Sequence, residues 1–77
     1  MAEYGYTTVF GPLAEGGFSA IVPAIPEICT YGETLEEARE MARDALRCYL
    51  ESALRTGEQI PADLAEVTTE RVAVTIP

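Results

Sequence analysis

Carboxylates and thiols are the side chains in this sequence that could do chemistry. There are thirteen of the first and two of the second, with no histidine beside them. Two-metal phosphodiester hydrolysis needs several carboxylates converging from neighbouring strands and a helix. The stretches that read as outer strands, Tyr4 to Phe10 and Arg71 to Ile76, hold no acid, and Glu36, Glu37 and Glu40 share one expected helix without partners to complete a metal site. General acid–base work lacks its usual imidazole, and a cysteine nucleophile lacks its usual activator. Cys29 and Cys48, with no histidine and no second cysteine pair, cannot build a zinc site. The expectation is a protein that is not an enzyme and holds no metal or cofactor.

Charge narrows the partners. Thirteen acids oppose five arginines, and with no lysine the net charge is −8. A surface of that sign repels phosphate backbones, which excludes direct DNA or RNA binding and leaves plain solubility or a basic protein partner. The N-terminal MAEYGYTTVF has neither a basic flank nor a long apolar run, so no export signal or membrane span is expected. Two thiols in such a chain suit a reducing compartment, the cytoplasm.

These groups need elements to carry them. Tyr4 to Phe10 alternates with period two and reads as a strand, followed by the turn-rich Gly11–Gly17. Phe18 to Val22 alternates as a second strand, and Pro23 ends it because proline cannot donate to a sheet ladder. Pro23 and Pro26 restrict their own φ and bias Val22 and Ile25 toward extended backbone, so a stiff, extended corner is expected. Ile28 to Tyr31 forms a short third strand closed by Gly32. Thr34-Leu35-Glu36-Glu37 then matches a capping box, with Thr34 accepting from the amide three residues on and Glu37 reaching back to the Thr34 amide.

From Leu35 to Ala53 apolar residues recur on one helical stripe, and Gly57 suits the position just beyond the helix. Arg39, Arg43 and Arg47 make a basic row on the polar side, beside Glu36, Glu40 and Asp44. Weak pairs such as Glu36–Arg39 and Glu40–Arg43 follow from that spacing, and the row is either a solvated face or a docking face. The connection Glu58–Glu70 has room for one short helical turn. Arg71 to Pro77 closes as a fourth strand, with Val72, Val74 and Ile76 on one face.

The order is β-β-β-α-β, one α+β domain over residues 1–77. Its mainly antiparallel four-stranded sheet has one long helix on one face. Bulky residues (Tyr4, Tyr6, Phe10, Phe18, Val22, Val72 and Val74) mark one sheet face. Thr7, Val9, Ser19, Ile21, Ala73 and Thr75 mark the other, smaller one. An antiparallel sheet can leave one such face to water or to a partner. A core this small also favours a homo-oligomer, a dimer or tetramer, formed through an edge or the open face.

The punctuation now resembles a known family. A strand, a Gly16-Gly17 turn, a strand ending in Val22-Pro23-x-x-Pro26, and the run Cys29-x-x-Gly32-Glu33-Thr34-x-Glu36-Glu37-Ala38 are similar to the HicB-like antitoxins. The later YLESALRTGEQIP matches that family's helix end. The likeness spans residues 4–61 firmly and the last strand loosely. It implies a partial RNase H-like domain that binds a small basic mRNA-cleaving toxin, HicA. Many members continue into a DNA-binding segment; this chain stops at Pro77, which argues against self-contained operator binding.

The chain departs from the family's P-D-L-P-G corner at Ala24 and Glu27. Pro23, Pro26, Gly32, Thr34 and Glu37 are expected to shape the corner and the cap. Glu27 and Glu33, with Arg39, Arg43 and Arg47, are the candidate partner contacts. The expected activity is occlusion of the toxin's RNA-binding or catalytic surface; the rival is an orphan structural module that only self-associates.

Overall fold

The structure, a computed structural model, describes residues 3–63 and 67–77. Three short antiparallel strands, β1 (Val9–Pro12), β2 (Phe18–Ile21) and β3 (Cys29–Gly32), precede one long helix, α1 (Leu35–Thr56). They form a sheet of order β1-β2-β3, with Phe10 opposite Ala20 and Ala20 opposite Thr30. Side chains alternate across a strand, so Phe10, Phe18, Ala20, Thr30 and Gly32 share one face and Val9, Ser19, Ile21, Cys29 and Tyr31 the other. The helix lies on the first of these faces, packed chiefly on β3 and β2.

Both ends of α1 follow their sequence signals. The Thr34 hydroxyl accepts from the Glu37 amide at 3.0 Å, and the backbone amide of Ala38 donates to the Thr34 carbonyl at 2.9 Å. Glu37 does reach back, but one residue further than the spacing predicts: its carboxylate accepts from the Glu33 amide at 2.8 Å. Gly57 adopts the left-handed conformation at φ 76°, and the amides of Gly57 and Glu58 both turn back to the Ala53 carbonyl. That geometry favours glycine, which has no Cβ to clash.

The proline corner differs from the expected extended path. The amide of Ile25 donates to the carbonyl of Val22, and that of Ile28 to the carbonyl of Ile25, each at 2.9 Å. Val22-Pro23-Ala24-Ile25 and Ile25-Pro26-Glu27-Ile28 are therefore two successive β-turns, each with proline at its second position, where a preset φ favours the turn. The period of three this imposes puts Val22, Ile25 and Ile28 on one side, and all three are buried as a cluster. Tyr6, Ala24, Ala45, Leu46 and Tyr49 pack against it. The two turns thus supply Val22, Ile25 and Ile28 to a core completed by Ala20 of the sheet and by Ala38, Ala42, Leu50 and Ala53 of the helix.

Strand limits shift where tertiary contacts compete with alternation. The first strand begins at Val9, not Tyr4. Upstream of it the Tyr6 hydroxyl donates to the Pro61 carbonyl, while the Thr7 amide and hydroxyl each donate to the Asp63 carboxylate at 2.9 Å. The third strand runs one residue later than expected and takes in Gly32. The expected fourth strand is not formed. Residues 71–77 carry no strand pairing, and Val72, Val74 and Ile76 are 77%, 79% and 83% exposed. Alternation confers a tendency to pair but supplies no partner. Residues 58–63 and 67–70 lack the expected helical turn; the remainder of that stretch, 64–66, lies outside the described residues.

Candidate functional site

The helix, the corner and the sheet divide the candidate residues among three surfaces. On α1, Arg39, Arg43 and Arg47 are all exposed. Arg43 pairs with Glu40 at 2.9 Å and Arg47 with Asp44 at 3.6 Å, both i,i+3 and both open to solvent. Exposed pairs of this kind contribute only a few tenths of a kcal/mol, about 0.3–0.5. Among the described residues the expected Glu36–Arg39 pair is not formed. Arg43 and Arg47 line a groove of about 450 Å³ with Leu46 and Leu50, closed on its other side by Tyr4, Gly5 and Tyr6. Arg39 is one turn earlier and outside it.

At the corner, Pro23 is half-buried while Pro26 and Glu27 are exposed. Glu27 has a second role that its sequence position does not reveal, because it meets Tyr49 of the helix. The Tyr49 phenol is raised above its ordinary pKa first by burial, then by the nearby Glu27 and Glu58 carboxylates, with a hydrogen bond to Glu27 and the neighbouring Tyr6 adding to it. Tyr6 is raised in the same direction by burial, then by Asp63 and Tyr4. Glu33 is exposed, and its amide belongs to the helix cap.

The third surface is the sheet face turned away from α1. Ile21 is 43% exposed and Tyr31 46%, with Cys29 beside them as an exposed free thiol. The Tyr31 ring lies across Gly17, whose φ of +85° and contact with that ring leave no room for a side chain. The sequence pattern marks Ile21 as part of the smaller face but gives Tyr31 no contact role. Its signal was its register opposite Ser19, two places from Cys29. Exposed β3 is bracketed by Glu27 and Glu33, so apolar and acidic groups border one edge strand.

For chemistry the surfaces offer little. No group of three or more histidine, cysteine or acidic side chains able to hold a metal occurs among the described residues. Cys48 is exposed on α1, on a different element from Cys29. No described helix is long and apolar enough to cross a membrane.

Comparison with known proteins gives these surfaces a context. Residues 6–75 match a family described as the HicB_like antitoxin of bacterial toxin–antitoxin systems. Antitoxin HicB 1 of Photorhabdus laumondii is 45% identical over 56 residues, covering 73% of this chain but 36% of that protein. Antitoxin HicB of Escherichia coli K12 is 39% identical over 56 residues, covering 73% of this chain and 41% of its own length. A UPF0150 protein of Thermoplasma acidophilum is 38% identical over 64 residues, which are 83% of this chain and 93% of that one. The match thus spans well under half of the two named antitoxins and nearly all of the shorter relative. With the proline corner, the Gly32–Thr34 helix start and the Gly57 helix end all inside the matched region, the chain belongs to the HicB-like antitoxin family.

Proposed function

We propose that this chain is an antitoxin module that binds a small basic, HicA-like mRNA-cleaving toxin and covers the surface with which that toxin holds or cuts RNA. It works by occlusion, without turnover, in the cytoplasm, and is itself a homo-oligomer, a dimer or tetramer. The observation that carries this reading is the one-sided sheet: α1 covers one face, while the other leaves Ile21 and Tyr31 exposed on a chain of net charge −8. Apolar side chains supply contact area, and the surrounding acids draw in a cationic partner and set the rate of encounter. Glu27 and Glu33 flank the edge strand β3 and are the acids placed to meet that partner. Arg39, Arg43 and Arg47, on the opposite, helical side, are less suited to a basic toxin.

The test is a tagged pull-down from the native host at low and at moderate salt, followed by an RNA-cleavage assay. The expected result is one small basic protein recovered in near-equal amount, more weakly as salt screens the charges. Adding the purified chain then abolishes that protein's RNA cleavage. Recovery of the chain alone, or cleavage that continues in the complex, overturns the reading.

A further inference from the structure

We propose that residues Arg71–Pro77 form a strand-donating arm, which lies along the β1 edge of a second copy of this chain while that copy's arm lies along the first. This deepens the self-association included in the proposed function and is independent of the toxin.

The arm is built like a strand and used as none. Val72, Val74 and Ile76 alternate with Ala73 and Thr75, and the three larger side chains are more than three-quarters exposed. Burying apolar surface is the main favourable term in association, so a period-two apolar row left in water is a row that lacks its partner. The arm also stands clear of the rest. The radius of gyration is 15.1 Å, against about 11.5 Å for a compact chain of this length.

The β1 edge can receive it. Among the described residues β1 has one strand neighbour, β2, so its other side offers unpaired backbone groups, the usual template for strand addition. α1 packs chiefly on β3 and β2, and a groove of about 450 Å³ lies beside the segment that leads into β1, lined by Leu46, Leu50, Arg43 and Arg47 of the helix and by Tyr4, Gly5 and Tyr6. An added strand that continues from β1 along that segment brings part of the Val72, Val74 and Ile76 row to the groove, where Leu46 and Leu50 supply the apolar contacts.

The occupant is a second copy because each copy carries both halves of the contact, one unpaired strand-like arm and one unpaired β1 edge. Residues 71–77 hold no acidic side chain, so the arm adds no side-chain anion to an already acidic surface of net charge −8. The exchange is reciprocal, so one two-fold contact satisfies both arms and both edges. The toxin-facing β3 edge stays free.

The experiment uses the purified 77-residue chain alone, so its outcome does not depend on any toxin. Light scattering is expected to give twice the 8.3 kDa chain mass. Val74→Glu should return it to the single-chain mass with unchanged helical circular dichroism, because Val74 makes no contact that the lone fold needs. Thr75→Glu, with the same charge on the opposite side of the arm, should leave the doubled mass. In a Cys29→Ser, Cys48→Ser background, a Val9→Cys chain mixed with a Thr75→Cys chain should give a heterodimer when treated with a short bismaleimide. A single-chain mass for the unaltered protein, a doubled mass that survives Val74→Glu, or cross-links formed only within a doubly substituted chain would each overturn the proposal.

Discussion

Gly32 lies directly under the first turn of the helix: a Cβ built on it would sit 2.7 Å from the Cα of Ala38, with the Ala38 amide nitrogen closer still. The obstacle is backbone, which cannot swing aside as a long side chain does. This contact sets how near α1 comes to β3, and the buried Ala38 and Ala42 keep that approach close along the helix. Gly32→Ala should therefore destabilise by at least about 2 kcal/mol, toward the upper part of the overpacking range. A lowered urea midpoint in the variant checks this; an unchanged midpoint would show that strand and helix separate without cost.

The cap that follows is open to solvent and can be tested apart from packing. Thr34→Ala removes the acceptor for the Glu37 amide and should cost about 1 kcal/mol. Thr34→Ser keeps the acceptor and should cost little. Thermal melts of the two variants separate loss of the hydroxyl from any general effect of changing this position.

Thr30 has a buried hydroxyl with no hydrogen-bond partner among the described residues. An unpaired buried polar group costs about 1–3 kcal/mol, and valine matches threonine in shape while suiting a strand. Thr30→Val should raise stability by about 1 kcal/mol, read as a higher melting temperature. A fall would mean that the hydroxyl is satisfied in solution.

The two raised tyrosines predict a loss of stability in alkali. Tyr6 and Tyr49 have folded-state pKa values above the ordinary 10.0, so the fold favours their protonated forms. Their contribution is fully present below pH 10 and is lost as pH climbs through the higher folded values. Denaturation midpoints taken from pH 8 to pH 11 should fall above pH 10, and the Tyr49→Phe variant should fall less steeply. Equal slopes would exclude Tyr49 from this effect.

Breaking the tie between Thr7 and Asp63 gives a further check on the first strand. Asp63→Ala leaves the Thr7 amide and hydroxyl without their acceptor. Amide exchange at Thr7 should quicken while the amides of Ile25 and Ile28, bonded within the corner, keep their protection. Loss of protection at both sites would mean that the Thr7–Asp63 contact supports the whole core.

Much of this protein was legible in one dimension, wherever the signal was local. Thr34, Glu37 and Gly57 bound α1 because caps depend on backbone groups three to five residues away. The position of the proline corner, the Gly16-Gly17 turn and the order of the first three strands were equally readable, and the family likeness rested on the same punctuation. The corner's path was not: two successive β-turns replace the expected extended one. The absence of histidine and the excess of acid belonged to composition alone. What required the folded chain was every relation between residues far apart. Tyr6 and Thr7 meet Pro61 and Asp63, which replaces the first half of the expected strand with side-chain ties. Gly32 meets Ala38, Glu27 meets Tyr49, and Tyr31 is turned to the open face. Val72, Val74 and Ile76 carry a strand's alternation, yet remain unpaired because periodicity encodes which side chains share a face and leaves the neighbouring strand to three-dimensional contact.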